Sequence, residues 1–173
     1  FAYSSGFSAH ALKGGARRTL DVDISPRTAH AAQRNLAANS SAGAEHNYLV
    51  ADVFPFIEQL AARGPRHDIV IVDPPALVRK RDQGQIKQAM GVYTKLNRNA
   101  MRLVEDGGYL LTSSCSTRIT DEDFFQIIRR AASGARVYAR IVARTHHPAD
   151  HPVDPAFPEG RYLTSALVHV NHR

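Results

Sequence analysis

Asp23, Asp52, Asp73 and Cys115 each stand at the end of an apolar run, and each is a residue type that can do chemistry. Asp23 closes "RTLDVD", Asp52 closes "NYLVAD", Asp73 precedes Pro74-Pro75, and Cys115 lies among small hydroxyl residues in "GYLLTSSCS". Carboxylate oxygens only accept hydrogen bonds, so an acid at the end of the second strand of a nucleotide-binding sheet suits the hydroxyl pair of a ribose. A thiolate is a nucleophile. Each residue also has a plainer reading: the acids as helix N-caps or turn residues, the cysteine as a small buried hydrophobe. The joint pattern is what points to a site.

The elements that must position these residues alternate. Strands are expected at 18–23, 47–52, 67–75, 108–116, 135–144 and 161–170, and helices at 25–40, 53–64, 84–107 and 120–133. Ser25 is an N-cap with Pro26 at the first helical position, and Gly64 closes a helix. Thr120 with Asp123 reads as a reciprocal cap, with acids in the first turn. The double proline at 74–75 cannot continue a central ladder. Strand alternating with helix predicts an α/β fold with a mainly parallel sheet and helices on both faces, with a ligand crevice at the carboxyl ends of the strands. All four residues would then face one crevice.

The 173 residues suit one domain, spanning 1–173, and a composition of 43% hydrophobic and 22% charged residues is that of a globular protein. No stretch is long and apolar enough to span a membrane, so no membrane partner is expected. A lone cysteine forms no internal disulfide, which makes the cytoplasm the default compartment. A net charge of +6 suits a polyanionic partner such as RNA. The chain opens on Phe1 and reads as a piece of a larger protein.

The glycines of "SSGFSAHALKGG" lack the dinucleotide spacing, and no P-loop is present. A nucleoside ligand without a pyrophosphate is favoured over NAD, and S-adenosylmethionine leads. His146, His147 and His151 do not complete a credible zinc spacing, so no metal is expected.

The stretches "FAYSSGFSAHALKGGA", "LDVDISPRTAHAAQRN", "VADVF", "FIEQLAARGPRHDIVIVDPPAL", "LVEDGGYLLTSSCS" and "ADHPVDPAFPEGRYLTSALVHV" resemble class I S-adenosylmethionine-dependent methyltransferases. More narrowly they are similar to the bacterial 23S ribosomal RNA large-subunit 5-methylcytosine methyltransferases. The resemblance implies a Rossmann-like methyltransferase sheet, mostly parallel with an antiparallel C-terminal strand. It also implies that the first strand is largely missing from this chain, an N-terminal truncation that would expose two inner sheet edges.

By the same resemblance, Tyr3, Ser4, Gly6 and Phe7 form the loop around the methionine part of the cofactor. Asp23 holds the ribose, with Ser25 beside it, and Ile24 packs on the adenine. Asp52 and Val53 meet the adenine edge. Asp73 and Pro74 line the gap between methyl donor and base, and Cys115 is the catalytic nucleophile with Asp73 as its catalytic partner. Pro75, Arg79, Lys80 and Arg81 lie on the substrate side, the basic triplet having a solvated loop as its alternative. Such chemistry wants a lowered thiol pKa or a nearby base. Large-subunit ribosomal RNA is the expected partner, and a homodimer is kept open. Ala76 stands where several relatives have lysine.

Two rivals remain at this stage. An amino-methylating enzyme would place an aromatic residue after its proline motif, where this chain has Ala76. A non-catalytic RNA-binding relative would have no use for Asp23, Asp52, Asp73 and Cys115 together.

Overall fold

The computed structural model describes residues 1–39, 45–78 and 82–173. The chain divides into two compact units, Phe1–Phe56 and Ile57–Arg173.

The first unit holds α1 (Gly6–Lys13), β1 (Arg18–Asp23), α2 (Pro26–Ala38) and β2 (Glu45–Val50). β1 and β2 pair in parallel, from Arg18 opposite Glu45 to Asp23 opposite Val50. Ala9, Leu12 and Leu36 form a small core between the helices, with Ala16 packed on it. Pro26 takes the first turn of α2 as expected, but the Ser25 side chain makes no cap hydrogen bond. The Asp23 carboxylate instead braces the turn before the helix, its Oδ1 accepting the Ser25 N–H at 2.8 Å. α1 is absent from the sequence reading: Gly6 and Phe7, expected in a loop, are its first two residues.

The helix α3 (Val53–Arg63) contains the boundary between the units. The second unit continues with β3 (His67–Val72), α4 (Gln83–Leu103), β4 (Val104–Ser114), α5 (Asp121–Ala135), β5 (Val137–Thr145) and β6 (Thr164–His172). Its sheet runs β3-β4-β6-β5. β3 lies parallel to β4, whereas β6 is antiparallel to both β4 and β5. Leu110, Val168 and Val170 are fully buried in the sheet, and Tyr93, Leu96, Ala100, Phe124 and Ile127 are buried on α4 and α5. Thr120 and Asp123 form the full reciprocal cap at the start of α5. Among the described residues, β1 has β2 as its one strand partner and β3 has β4, so each leaves an edge unpaired. No helix among the described residues is long and apolar enough to cross a membrane.

The junction of α4 and β4 departs from expectation. The helix stops at Leu103 and the strand begins at Val104, before the double glycine and not after it. Gly107 has φ 79°, which an L side chain resists. A Cβ on Gly108 would lie 2.6 Å from the Asp68 carbonyl oxygen and 2.8 Å from Val104 Cγ1. The glycine is what lets β4 come close to β3.

Two substitutions test this. Gly108→Ala is expected to lower stability by about 1–3 kcal/mol in urea denaturation, because backbone has to move. Gly91→Ala, exposed in α4 where a Cβ meets nothing, is expected to raise it by about 0.5–1 kcal/mol.

Candidate active site

In the first unit the chain from Tyr3 to Ser5 is a tight loop with two residues at positive φ, Tyr3 at 49° and Ser5 at 60°. Left-handed backbone at residues other than glycine is costly and persists only where surroundings hold it. Here several groups do. Tyr3 N–H donates to Asp23 Oδ2 at 3.1 Å. Asn35 Nδ2 donates to the Ser4 carbonyl at 2.8 Å, and the Tyr48 hydroxyl donates to the Tyr3 carbonyl at 3.2 Å. The loop is therefore built around the Asp23 carboxylate. Burial pushes the Asp23 pKa up, but the N–H groups of Ser25 and Tyr3, then the Phe1 ammonium 3.7 Å away and Thr28, outweigh it and hold the carboxyl below its usual value. Beyond Asp23 the Ile24 side chain is 68% exposed. Asp52 takes the plainer role at least in part: its Oδ1 accepts the Phe54 N–H at 3.0 Å in the first turn of α3, which Val53 opens.

In the second unit β3 ends at Val72, paired with Thr112 of β4. Asp73 and Ser113 follow on the two strands, and the Ser113 hydroxyl donates a hydrogen bond to Asp73 Oδ1. The next hydroxyl, of the buried Ser114, donates to the Tyr93 hydroxyl at 3.3 Å. The Cys115 thiol, half-buried, donates to the Pro74 carbonyl at 3.6 Å. Ser113, Ser114 and Cys115 thus each have their own partner, and together they stitch the end of β4 to Asp73-Pro74 and to α4. Tyr93 is wholly buried, and a hydrogen bond with the Leu77 backbone ties it to the segment after the prolines. Burial, and then the charge of Asp73, push the Cys115 thiol above its ordinary value. Of the lowered pKa or nearby base that the sequence reading asked for, the first is corrected, since a thiol beside a carboxylate in partly desolvated surroundings has a raised pKa, and the neighbouring group is the Asp73 carboxylate.

Structure therefore brings together Tyr3, Ser4, Asp23 and Ser25 in one unit, and Asp73, Pro74 and Cys115 in the other. Pro75 is exposed one step further on. Arg79, Lys80 and Arg81 lie outside the described residues. Among those described, no cluster of three or more His, Cys, Asp or Glu side chains is arranged to hold a metal.

A family model for S-adenosylmethionine-dependent methyltransferases matches residues 1–163. The chain belongs to this family. It is 35% identical over 170 residues to a protein of Shewanella denitrificans named ribosomal RNA large subunit methyltransferase I, covering 98% of this chain and 42% of that protein. The same-named protein of Photobacterium profundum is 36% identical with the same coverage. The chain thus spans about two-fifths of the length of these curated relatives. A methyltransferase crystal structure from Streptococcus mutans superposes with a TM-score of 0.80 at 24% identity, over 98% of this chain and 43% of that one. Another solved methyltransferase, complexed with SAH, gives a TM-score of 0.80 over 97% of this chain and 43% of its own. The α/β methyltransferase fold, mainly parallel with an antiparallel last strand, is that of this domain.

Asn35, Tyr48 and Tyr93 were not singled out from the sequence as site residues. Tyr93 reads there as one more apolar position on a helix, although a buried tyrosine hydroxyl needs a partner, and that need was the available signal.

Thiol alkylation followed against pH measures the Cys115 environment. The wild-type thiol is expected to titrate above an ordinary cysteine. Asp73→Asn removes the neighbouring negative charge and should bring the midpoint down, making the thiol more reactive near pH 8. A midpoint that stays put would disconnect the two groups.

Proposed function

We propose that this methyltransferase domain acts on RNA, and that its reaction is methyl transfer to carbon 5 of a cytosine in large-subunit ribosomal RNA through a Cys115 adduct. The observation that carries the reading is the pairing of β3 with β4, which sets Asp73-Pro74 beside Ser113-Ser114-Cys115. The relatives' names and the +6 net charge support RNA as substrate and the cytoplasm as its place.

The first unit fits the cofactor of the family by its donor set. Asp23 is ionised and held by backbone N–H groups, a rigid acceptor for a ribose hydroxyl pair. Ile24 offers an open apolar surface for an adenine, and Gly6 leaves open space where a Cβ would stand. We assign Tyr3, Ser4, Gly6 and Phe7 to the methionine end, Ser25 to the turn beside the ribose, and Asp52 and Val53 to the adenine edge. S-adenosylmethionine, when bound, supplies an electrophilic methyl group on a sulfonium.

Carbon 5 of cytosine is a poor nucleophile, and the residues of the second unit supply what it lacks. The Cys115 thiol passes its proton to the neighbouring Asp73 carboxylate, and its sulfur bonds to carbon 6, pushing an electron pair toward carbon 5 and the ring. A protonated Asp73 donates to ring nitrogen 3, stabilising the charge that gathers there. Protonated, Asp73 also ceases to oppose the thiolate, so base binding and thiol ionisation assist one another. After carbon 5 has taken the methyl group, a base, water being the simplest, removes its proton. The electron pair left behind expels the sulfur and restores the thiolate. A stacked base has to be unpaired or flipped for any of this, and Pro75 with Arg79-Lys80-Arg81 is assigned to that RNA side.

Incubating the full-length protein with labelled cofactor and large-subunit RNA, then digesting to nucleosides, tests the assignment. Label is expected in 5-methylcytidine, with Cys115→Ala reducing turnover by at least about a thousandfold while cofactor affinity stays unchanged. Asp23→Ala should weaken cofactor binding about ten- to a hundredfold. Label in a methylated amino group, persisting in Cys115→Ala, would replace this reading with the amino-methylating one.

A further inference from the structure

Three chain segments meet at the end of the sheet where Cys115 lies. Ser114 of β4 pairs with Thr164 at the start of β6, and Thr145 at the end of β5 pairs with Ser165. His146 and His147 therefore follow β5 next to the residues that lead into β6. The intervening loop carries Pro148, Pro152, Pro155 and Pro158 and includes one short turn of helix, Pro158–Gly160.

Within that loop His147 makes contacts unusual for a surface histidine. Its Nε2 accepts the backbone N–H of Tyr162 at 3.1 Å and that of Leu163 at 3.1 Å. A ring nitrogen that accepts has a free lone pair, so this ring is neutral with its proton on Nδ1. His151 stacks on it at 4.5 Å between centroids, and Tyr162 meets its edge at 4.6 Å. The Tyr162 hydroxyl lies 3.5 Å from His151 Nε2, closing the cluster. The neighbouring His146 turns away to Asp121 Oδ2 at 3.1 Å, which Arg144 also approaches at 3.6 Å.

We propose that His147 is a positioning residue for Cys115: as a neutral acceptor it pins the Tyr162–Leu163 backbone, fixes where β6 meets Ser114, and releases that end of the sheet when protonated. Leu163 adjoins Thr164, which lies opposite Ser114, the residue before the thiol, in the β4–β6 ladder. Protonation removes the lone pair both N–H groups use, and leaves a cation stacked against His151. The titratable and charged groups around the ring are His146 and His151, which disfavour its protonation, and Tyr162 at its edge; beyond them Asp121 is engaged by both His146 and Arg144. Partial burial first, then His151 and His146, hold His147 below the ordinary histidine value, against a hydrogen bond with the Gly160 backbone that pulls the other way. The anchor is thus present above the ordinary histidine value and is lost as pH falls through the lower value the folded protein sets.

The proposal rests on Cys115 being the working thiol, and its test is chosen to separate the two ideas. Nitrogen-15 spectra of the full-length protein are expected to show His147 as the Nδ1–H tautomer, with the Tyr162 and Leu163 amides shifting at its own midpoint. Cys115 alkylation should show a step at that same midpoint. His147→Gln keeps an acceptor that cannot titrate and should abolish the step while retaining turnover at pH 7 within about threefold. His147→Leu should lower kcat by about tenfold to a hundredfold, as misplacement does, with the KM for cofactor unchanged. Failure of RNA methylation in every variant would sink the proposed reaction, yet the amide and alkylation steps would still uphold the anchor. Amides that ignore His147 titration, or a His147→Leu protein with unaltered thiol reactivity and pH profile, would overturn it.

Discussion

The parallel ladder between β3 and β4 is the constraint on which the reacting end of this domain depends. Val72 lies opposite Thr112, so the next residue on each strand is a carboxylate on one and a hydroxyl on the other, and the hydrogen bond between Asp73 and Ser113 follows from that register. Shifting it by one position would turn Ser113 to the other face and separate the acid from the thiol. Gly108 is the sequence device that allows it, because any side chain there would collide with the Asp68 carbonyl. Tyr93, buried under Ser114, anchors the same strand end to α4.

Two opposite electrostatic solutions serve the two units. Asp23 is surrounded by N–H donors that favour its charge, a ready acceptor whose partners are in place before any ligand arrives. Cys115 is surrounded by burial and a neighbouring carboxylate that disfavour its charge. A thiol held protonated at rest is protected from alkylation and oxidation, which follow the thiolate. On the proposed account the substrate base itself changes this balance by engaging Asp73 as an acid.

Much of this was legible in the sequence. Strand–helix alternation was enough to indicate an α/β fold, and Asp23, Asp73 and Cys115 do stand immediately at or after their strand ends. The reciprocal cap of Thr120 and Asp123 is present as read, since capping depends on local spacing alone. What escaped depends on three-dimensional partners. α1 begins in a left-handed loop held by Asn35, Tyr48 and Asp23, and such anchors leave no periodic signal. The helix–strand junction at Val104 was misplaced because the apolar pattern of Leu103 and Val104 fits both elements. The assigned chemistry asked for a lowered thiol pKa or a nearby base; the neighbours, visible only in the fold, raise the pKa and place the Asp73 carboxylate beside the thiol. No metal was expected at His147, and what the fold adds there is its contacts with backbone amides and aromatic rings.

The central claim is that the sulfur of Cys115 bonds to carbon 6 of a cytosine. Fluorine at carbon 5 cannot leave as a proton does, so an RNA carrying 5-fluorocytidine arrests the reaction after methyl transfer. Mass spectrometry of the full-length protein after incubation with this RNA and S-adenosylmethionine reads the result directly. The account predicts a stable protein–RNA adduct that maps to Cys115 and carries the transferred methyl group. An active preparation that forms no adduct, or one whose adduct maps elsewhere, would contradict it.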